Sequence, residues 1–208
     1  MIQSATGLIL RTRPLTETSL IVNWLTPGLG RISTVAKGAR RPKSPFAGKL
    51  DLFYTADFSF QRSRRSDLHT LREVKLRETH VALRHELDYL QQAAYCAKLV
   101  EQATESETPL PVVYDLLHTL LVHLPKQLPQ PQTLFAFELK LLHELGLAPD
   151  VAQSQLTRGT KQIVSALSVG DWPAVGRLKL SEAQVSELRH FLHGFLVFHL
   201  GKTPKDRP

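Results

Sequence analysis

Apolar and polar positions alternate along the first third of the chain and recur every three to four residues over the remainder. Residues 4–12 alternate weakly and run into Arg11-Thr12-Arg13-Pro14. Residues 18–26 are rich in β-branched and apolar side chains and end at the turn signal Pro27-Gly28-Leu29-Gly30. Residues 31–36 alternate again, with Ile32 and Val35 expected to point inward. Residues 51–60 predict a fourth strand with Phe58 and Phe60 on one face, and residues 68–76 a fifth. Five short strands without a long intervening helix predict a small barrel, and the OB-fold is the five-stranded barrel that uses its sheet face and loops for oligonucleotides.

After about residue 77 the period becomes helical. Leu83, Leu87, Leu90, Ala94 and Ala97 follow helical spacing, and Thr108-Pro109 reads as an N-cap followed by proline at the first helical position. The next helix carries Val113, Leu116, Leu117, Leu120 and Leu121 until Pro125, Pro129 and Pro131 force a break. A helix over 131–145 carries Leu134, Phe137, Leu141, Leu142 and Leu145 and stops at Gly146. Ile163, Val164 and Leu167 predict a short helix, and Asp171-Trp172-Pro173 another helix start. Ser181 with Gln184 forms a capping box for a last helix burying Val185, Leu188, Leu192, Phe195 and Leu196 and ending near Gly201. The expected fold class is α+β in two domains: an OB-fold barrel over 1–77 that binds nucleic acid, and an all-α domain over 78–208.

Charge sharpens this division. The net charge is +7, yet residues 1–77 hold fourteen Lys and Arg against five acids, and the rest of the chain is net −2. An anionic partner is therefore expected on the barrel. The cations sit on strands and connections and not on an amphipathic helix, which favours nucleic acid over a membrane surface. The connection Val35-Ala36-Lys37-Gly38-Ala39-Arg40-Arg41-Pro42-Lys43-Ser44 is the most basic. A nucleotide-binding P-loop needs glycine before its Lys-Ser pair, and Pro42 stands there. A phosphodiester backbone fits better, because Lys and Arg neutralise phosphates and glycine lets backbone N–H groups approach. The expected phosphate contacts are Arg11, Arg13, Arg31, Lys37, Arg40, Arg41 and Lys43, with Arg62, Arg64 and Arg65 of a second basic turn extending the track. Trp24, Phe53, Tyr54, Phe58 and Phe60 are able to stack on bases, but alternation sends most of them inward and leaves Tyr54 the most exposed. Phe46 is compatible with core or surface.

Candidate chemistry adds little. His190 and His193 lie three apart with no ligand spaced nearby to complete a metal site, and His80 and His85 do not share a helical face well. Cys96, the single cysteine, fits a small core position, and a reducing cytoplasm is its natural setting. No nucleophile elbow, zinc-protease helix or paired-carboxylate motif occurs, so neither an enzyme, a cofactor nor a metal is expected. No signal peptide and no apolar run long enough to span a membrane are found, so a cytoplasmic, nucleoid-associated protein is expected.

Several motifs together resemble the bacterial recombination mediator family RecO. They are Leu10-Arg11-Thr12-Arg13-Pro14-Leu15-Thr16-Glu17-Thr18-Ser19-Leu20, then Gly30-Arg31 followed by Val35-Ala36-Lys37-Gly38-Ala39-Arg40-Arg41, and Leu71-Arg72-Glu73. Phe137-Glu138-Leu139-Lys140-Leu141-Leu142 with Leu145-Gly146 is similar to a core helix of its second domain, and Leu200-Gly201-Lys202 to its C-terminal end. The resemblance implies an N-terminal OB-fold and a helical domain. It implies binding of single- and double-stranded DNA, annealing of complementary strands, and partnership with RecR and single-stranded DNA-binding protein (SSB) so that RecA is loaded. Many RecO-like proteins carry a four-cysteine zinc site that one cysteine cannot build. Basic residues that often precede the Phe-Glu-Leu helix in the family are replaced by Phe135 and Ala136. An SSB-tail contact is therefore expected at Lys140 one turn on, with Leu141 or Leu142 lining its pocket. Two other readings stand beside this one: a generic RNA-binding OB protein, and a protein-interaction module whose basic face docks an acidic partner.

Overall fold

A computed structural model describes residues 1–204 and Arg207. Five strands come first: β1 (Ile2–Pro14), β2 (Leu20–Thr26), β3 (Gly30–Ala36), β4 (Thr55–Gln61) and β5 (Leu68–Glu78). They close into a barrel in the order β1-β2-β3-β5-β4. Every pairing is antiparallel except β3 with β5, where Ser33 lies opposite Leu68. Among the described residues six α-helices follow: α1 (Leu87–Ala103), α2 (Pro111–His123), α3 (Pro131–Glu144), α4 (Arg158–Val169), α5 (Trp172–Arg177) and α6 (Glu182–Leu200). The predicted class, an OB-like five-stranded barrel followed by helices, is the observed one.

Alternation explains the barrel interior. Ile9, Val22, Trp24, Ile32, Ala36, Phe58 and Phe60 meet inside it. Trp24 stacks on Phe58 with ring centroids 4.0 Å apart, and its indole N–H donates to Thr34 Oγ1 at 2.9 Å, so the buried polar atom is satisfied. Phe46 also belongs to this core, pinning the long β3–β4 connection. Ile32 and Val35 are both buried, but odd spacing puts them on opposite faces and only Ile32 joins the barrel core. The fourth strand starts later than its apolar run implies. Phe53 takes a left-handed φ of 65°, which breaks the alternation, although residues 53 and 54 still exchange backbone hydrogen bonds with Ile9 at 2.9 Å.

The chain forms two compact units, Met1–Val81 with Thr104–His118, and Ala82–Ala103 with Thr119–Pro208. The expected boundary at residue 77 lies one residue before the end of β5. In the first unit, the segment after α1 is laid along β3: Ser106 bridges to Arg31, and the Glu107 N–H donates to the Arg31 carbonyl at 2.8 Å. Gly30 is required here. Its φ is +67°, and a Cβ would sit 2.1 Å from the Thr108 carbonyl oxygen. The helix expected at Pro109 begins instead at Pro111, after this strapped segment.

In the second unit α3 is the central helix, with Phe135, Ala136 and Leu139 packed on Leu156, Val164, Leu167, Val175, Leu188 and Leu192. The predicted capping box at Ser181 and Gln184 is present, and Asp171 caps α5. Glu138 is fully buried on α3, bonded by the Tyr95 hydroxyl at 2.5 Å and paired with Arg207 at 2.5 Å. Burial holds its carboxyl above the usual range, and Arg207 only partly opposes this.

Candidate nucleic-acid interface

Strand register gathers part of the expected cations at one end of β1. Arg13 pairs with Ile21, which pairs with Val35, and Pro14 pairs with Leu20, which pairs with Ala36. Arg13 and Lys37 are thereby brought to the same edge. The connection after β3 then turns tightly, with Gly38 at φ +70° and backbone bonds from Arg41 to Gly38 and from Ser44 to Arg41. It is tied to the β1–β2 connection by the Arg40 N–H on the Thr18 carbonyl at 2.9 Å and the Gly38 N–H on Ser19 Oγ at 3.4 Å. Lys37, Arg40, Arg41 and Lys43 stand exposed on this scaffold, and Arg11 and Arg13 are exposed on β1. Among the described residues, Arg13, Lys37, Arg40, Arg41 and Lys43 have no carboxylate within ion-pair distance.

The other expected cations are arranged differently. Ile2 pairs with Gln61, and the Arg62 N–H donates to the Met1 carbonyl. The second basic turn thus lies at the far end of β1, a contour of roughly 40 Å from Pro14 at about 3.3 Å per residue. Arg62 forms an ion pair with Glu107. The same carboxylate meets His69 Nε2 at 3.0 Å. The Ser63 N–H points at Nδ1 of that ring, so Nε2 carries the proton and donates to Glu107. Arg64 and Arg65 remain exposed in the turn. Arg31 is half-buried and spends its guanidinium on Thr104, at 2.8 Å to Oγ1 and 2.5 Å to the carbonyl. The expected cations therefore form two patches, with Arg31 and Arg62 held by internal partners.

An open groove of about 740 Å³ runs along β1, β4 and β5 and is lined by Thr6, Phe46, Lys49, Asp57, Arg72 and Lys75 among others. Lys49, Arg72 and Lys75 are not among the phosphate contacts expected from clustered charge. Spacing of basic residues on β5 was the available signal. Asp57 accepts from Thr6 Oγ1 at 2.7 Å and pairs with Arg77 at 2.7 Å, and these bonds hold its carboxyl below the usual range. The barrel aromatics Trp24, Phe46, Phe53, Phe58 and Phe60 are all buried, and only Tyr54 is half-exposed.

In the helical unit, Lys140 donates to the Ser168 carbonyl at 2.9 Å, and burial pushes its ammonium pKa down. Leu141 and Leu142 are each 1 % exposed, and Phe135 and Ala136 are buried as well. Lys140 is the one member of the expected tail contact that is partly exposed. No described helix is long and apolar enough to cross a membrane.

Residues 1–80 match the family Recombination protein O N terminal, and residues 84–158 match Recombination protein O C terminal. The chain belongs to the RecO family. The curated relatives named DNA repair protein RecO include that of Rhodopirellula baltica, 34 % identical over 69 % of this chain and 53 % of that protein. That of Bacillus pumilus is 31 % identical over 74 % of this chain and 59 % of the relative, and that of Exiguobacterium sibiricum 32 % over 72 % and 59 %. The chain thus spans somewhat more than half the length of these RecO relatives.

Proposed function

We propose that this chain is a DNA repair and recombination mediator. It binds single- and double-stranded DNA through its barrel and anneals complementary strands, and with RecR it helps load RecA onto SSB-coated single strands. The observation that carries the reading is the cluster of exposed Arg13, Lys37, Arg40, Arg41 and Lys43 without internal carboxylates, on a family whose relatives are named for DNA repair. Such cations make phosphate contacts, which give affinity without reading sequence, as a mediator requires. Neutralising two strands at once lowers their mutual repulsion and favours pairing. No base-edge chemistry or bond breaking is needed. In this reading residues 1–77 carry DNA and residues 78–208 carry the protein partners, with Lys140 as a contact for an acidic tail.

The test is annealing of complementary strands coated with cognate SSB, at moderate and high salt. Salt-sensitive acceleration that is lost in an Arg40→Ala/Arg41→Ala variant supports the proposal. A folded chain that binds bare DNA but leaves the annealing rate unchanged would refute the mediator role.

A further inference from the structure

A second constellation lies in the barrel unit, apart from the basic patches. Glu78 ends β5, His80 follows it by two residues, and His118 lies on α2. One ligand atom of each lies within 4.8 Å of the other two. His80 Nδ1 is 3.4 Å from Glu78 Oε1, and His118 Nε2 is 3.4 Å from Glu78 Oε2. Both separations exceed the range of about 2.7–3.2 Å usual for an N–H···O bond, so the carboxylate sits between two rings without closing a short bond to either. Each ring faces its own carboxylate oxygen at about the ligand–ligand edge of roughly 3.4 Å around a tetrahedral ion with bonds of about 2.0–2.1 Å, and one oxygen serving both rings needs only a turn of the carboxylate.

The supporting residues orient the donors. His80 Nε2 faces Thr55 Oγ1 at 3.4 Å, leaving Nδ1 toward Glu78. Its backbone is held at φ 47°, a conformation uncommon for a side-chain-bearing residue, and its side chain is 2 % exposed. Tyr114, one turn before His118 on α2, stacks on that ring at 5.8 Å between centroids with planes 9° apart. Glu78 and His118 are 45 % and 31 % exposed, so an ion would keep one side open to water.

We propose that Glu78, His80 and His118 bind one divalent transition-metal ion, Zn²⁺ being the best match to two imidazoles and a carboxylate. Three protein ligands and a water complete its shell. The ion ties the end of β5 to α2, the helix that follows the strapped segment. This site is independent of DNA binding and uses no cysteine.

The experiment is a calorimetric titration of Zn²⁺ into the full chain after treatment with a chelator, repeated with Co²⁺ followed by its visible absorption. Uptake of about one ion per chain is expected, with a tetrahedral Co²⁺ spectrum and a raised thermal midpoint. His118→Ala and Glu78→Gln should each weaken binding by roughly a hundredfold or more, beyond the range typical of outer-shell changes. His118 is partly exposed, so its alanine variant keeps the fold, which circular dichroism verifies. A His190→Ala/His193→Ala variant should bind as before. Absence of uptake, or uptake that survives His118→Ala and Glu78→Gln, overturns the proposal.

Discussion

The two ends of strand β1 carry similar charge and use it differently. Around Pro14 the cations stand on tight turns with no carboxylate facing Arg13, Lys37, Arg40, Arg41 or Lys43 among the described residues. Around Ile2 the chain folds a strapped segment against the barrel, and Arg31 and Arg62 are spent on Thr104 and Glu107. The same residue type is left exposed at one end and serves as a fastener at the other. A count of Lys and Arg therefore overstates a binding surface wherever acids and carbonyls from distant segments have claimed the guanidinium groups.

Removing charge from each end in turn tests this contrast where the effect is largest. Each phosphate contact contributes about 0.7 to the salt slope of single-strand binding and about 0.9 for duplex. Arg40→Ala/Arg41→Ala should thus flatten the slope by about 1.4 on single strands and about 1.8 on duplex. Arg64→Ala/Arg65→Ala should change it by less than half as much. Equal losses in fluorescence anisotropy titrations would mean that DNA follows the whole length of β1, and the contrast would fail.

Arg31 should behave as a fastener. Its guanidinium closes two hydrogen bonds on Thr104, a buried residue 73 positions away. Arg31→Ala should cost about 2 kcal/mol in urea unfolding, because the buried Thr104 carbonyl loses a charged donor. The salt slope of DNA binding should stay unchanged; a flattened slope would return Arg31 to the interface.

Arg31 also marks where the sequence stops being informative. Alternation around Trp24, Phe58 and Phe60 was enough to predict the barrel, because burying one face of a strand leaves a local period of two. The capping box at Ser181 was equally local. Nothing local separates Arg31 from Arg40, since the difference lies in Thr104 on a segment that folds back onto β3. His118 is illegible locally for the same reason: it meets Glu78 and His80 only through the path of the chain into α2. Leu141 and Leu142 are buried, which local sequence does not reveal, as an apolar helix face reads alike in a core and in a groove.

Glu107 offers a way to convert one end into the other. Glu107→Gln keeps an acceptor for the His69 ring but removes the charge that holds Arg62. Arg62 is 41 % exposed, so the stability loss should remain under about 1 kcal/mol. A released Arg62 gives DNA one more cation, and the single-strand slope should steepen by about 0.7. A slope that does not move would show that the Ile2 end lies outside the DNA path even when its charge is available.

The smallest effect concerns Asp57, the acid in the groove. The Arg77 hydrogen bond first, and then that of Thr6, holds its pKa below the ordinary value of 3.8. A carboxyl lowered on folding stabilises the folded state fully above that ordinary value, and the contribution is lost as pH falls through the lower folded value. Because the pair is exposed, solvent screening keeps the contribution small. Asp57→Asn should therefore flatten the acid limb of the stability curve below about pH 4 while barely changing the neutral plateau. At neutral pH the same change releases Arg77 and removes a negative charge beside Lys75 and Arg72, so DNA binding should tighten slightly and with a steeper salt slope. Tightening would extend the interface from the Pro14 end into the groove. If the acid limb flattens and binding is unmoved, the groove takes no phosphate and the DNA is confined to the turns that follow β1 and β3.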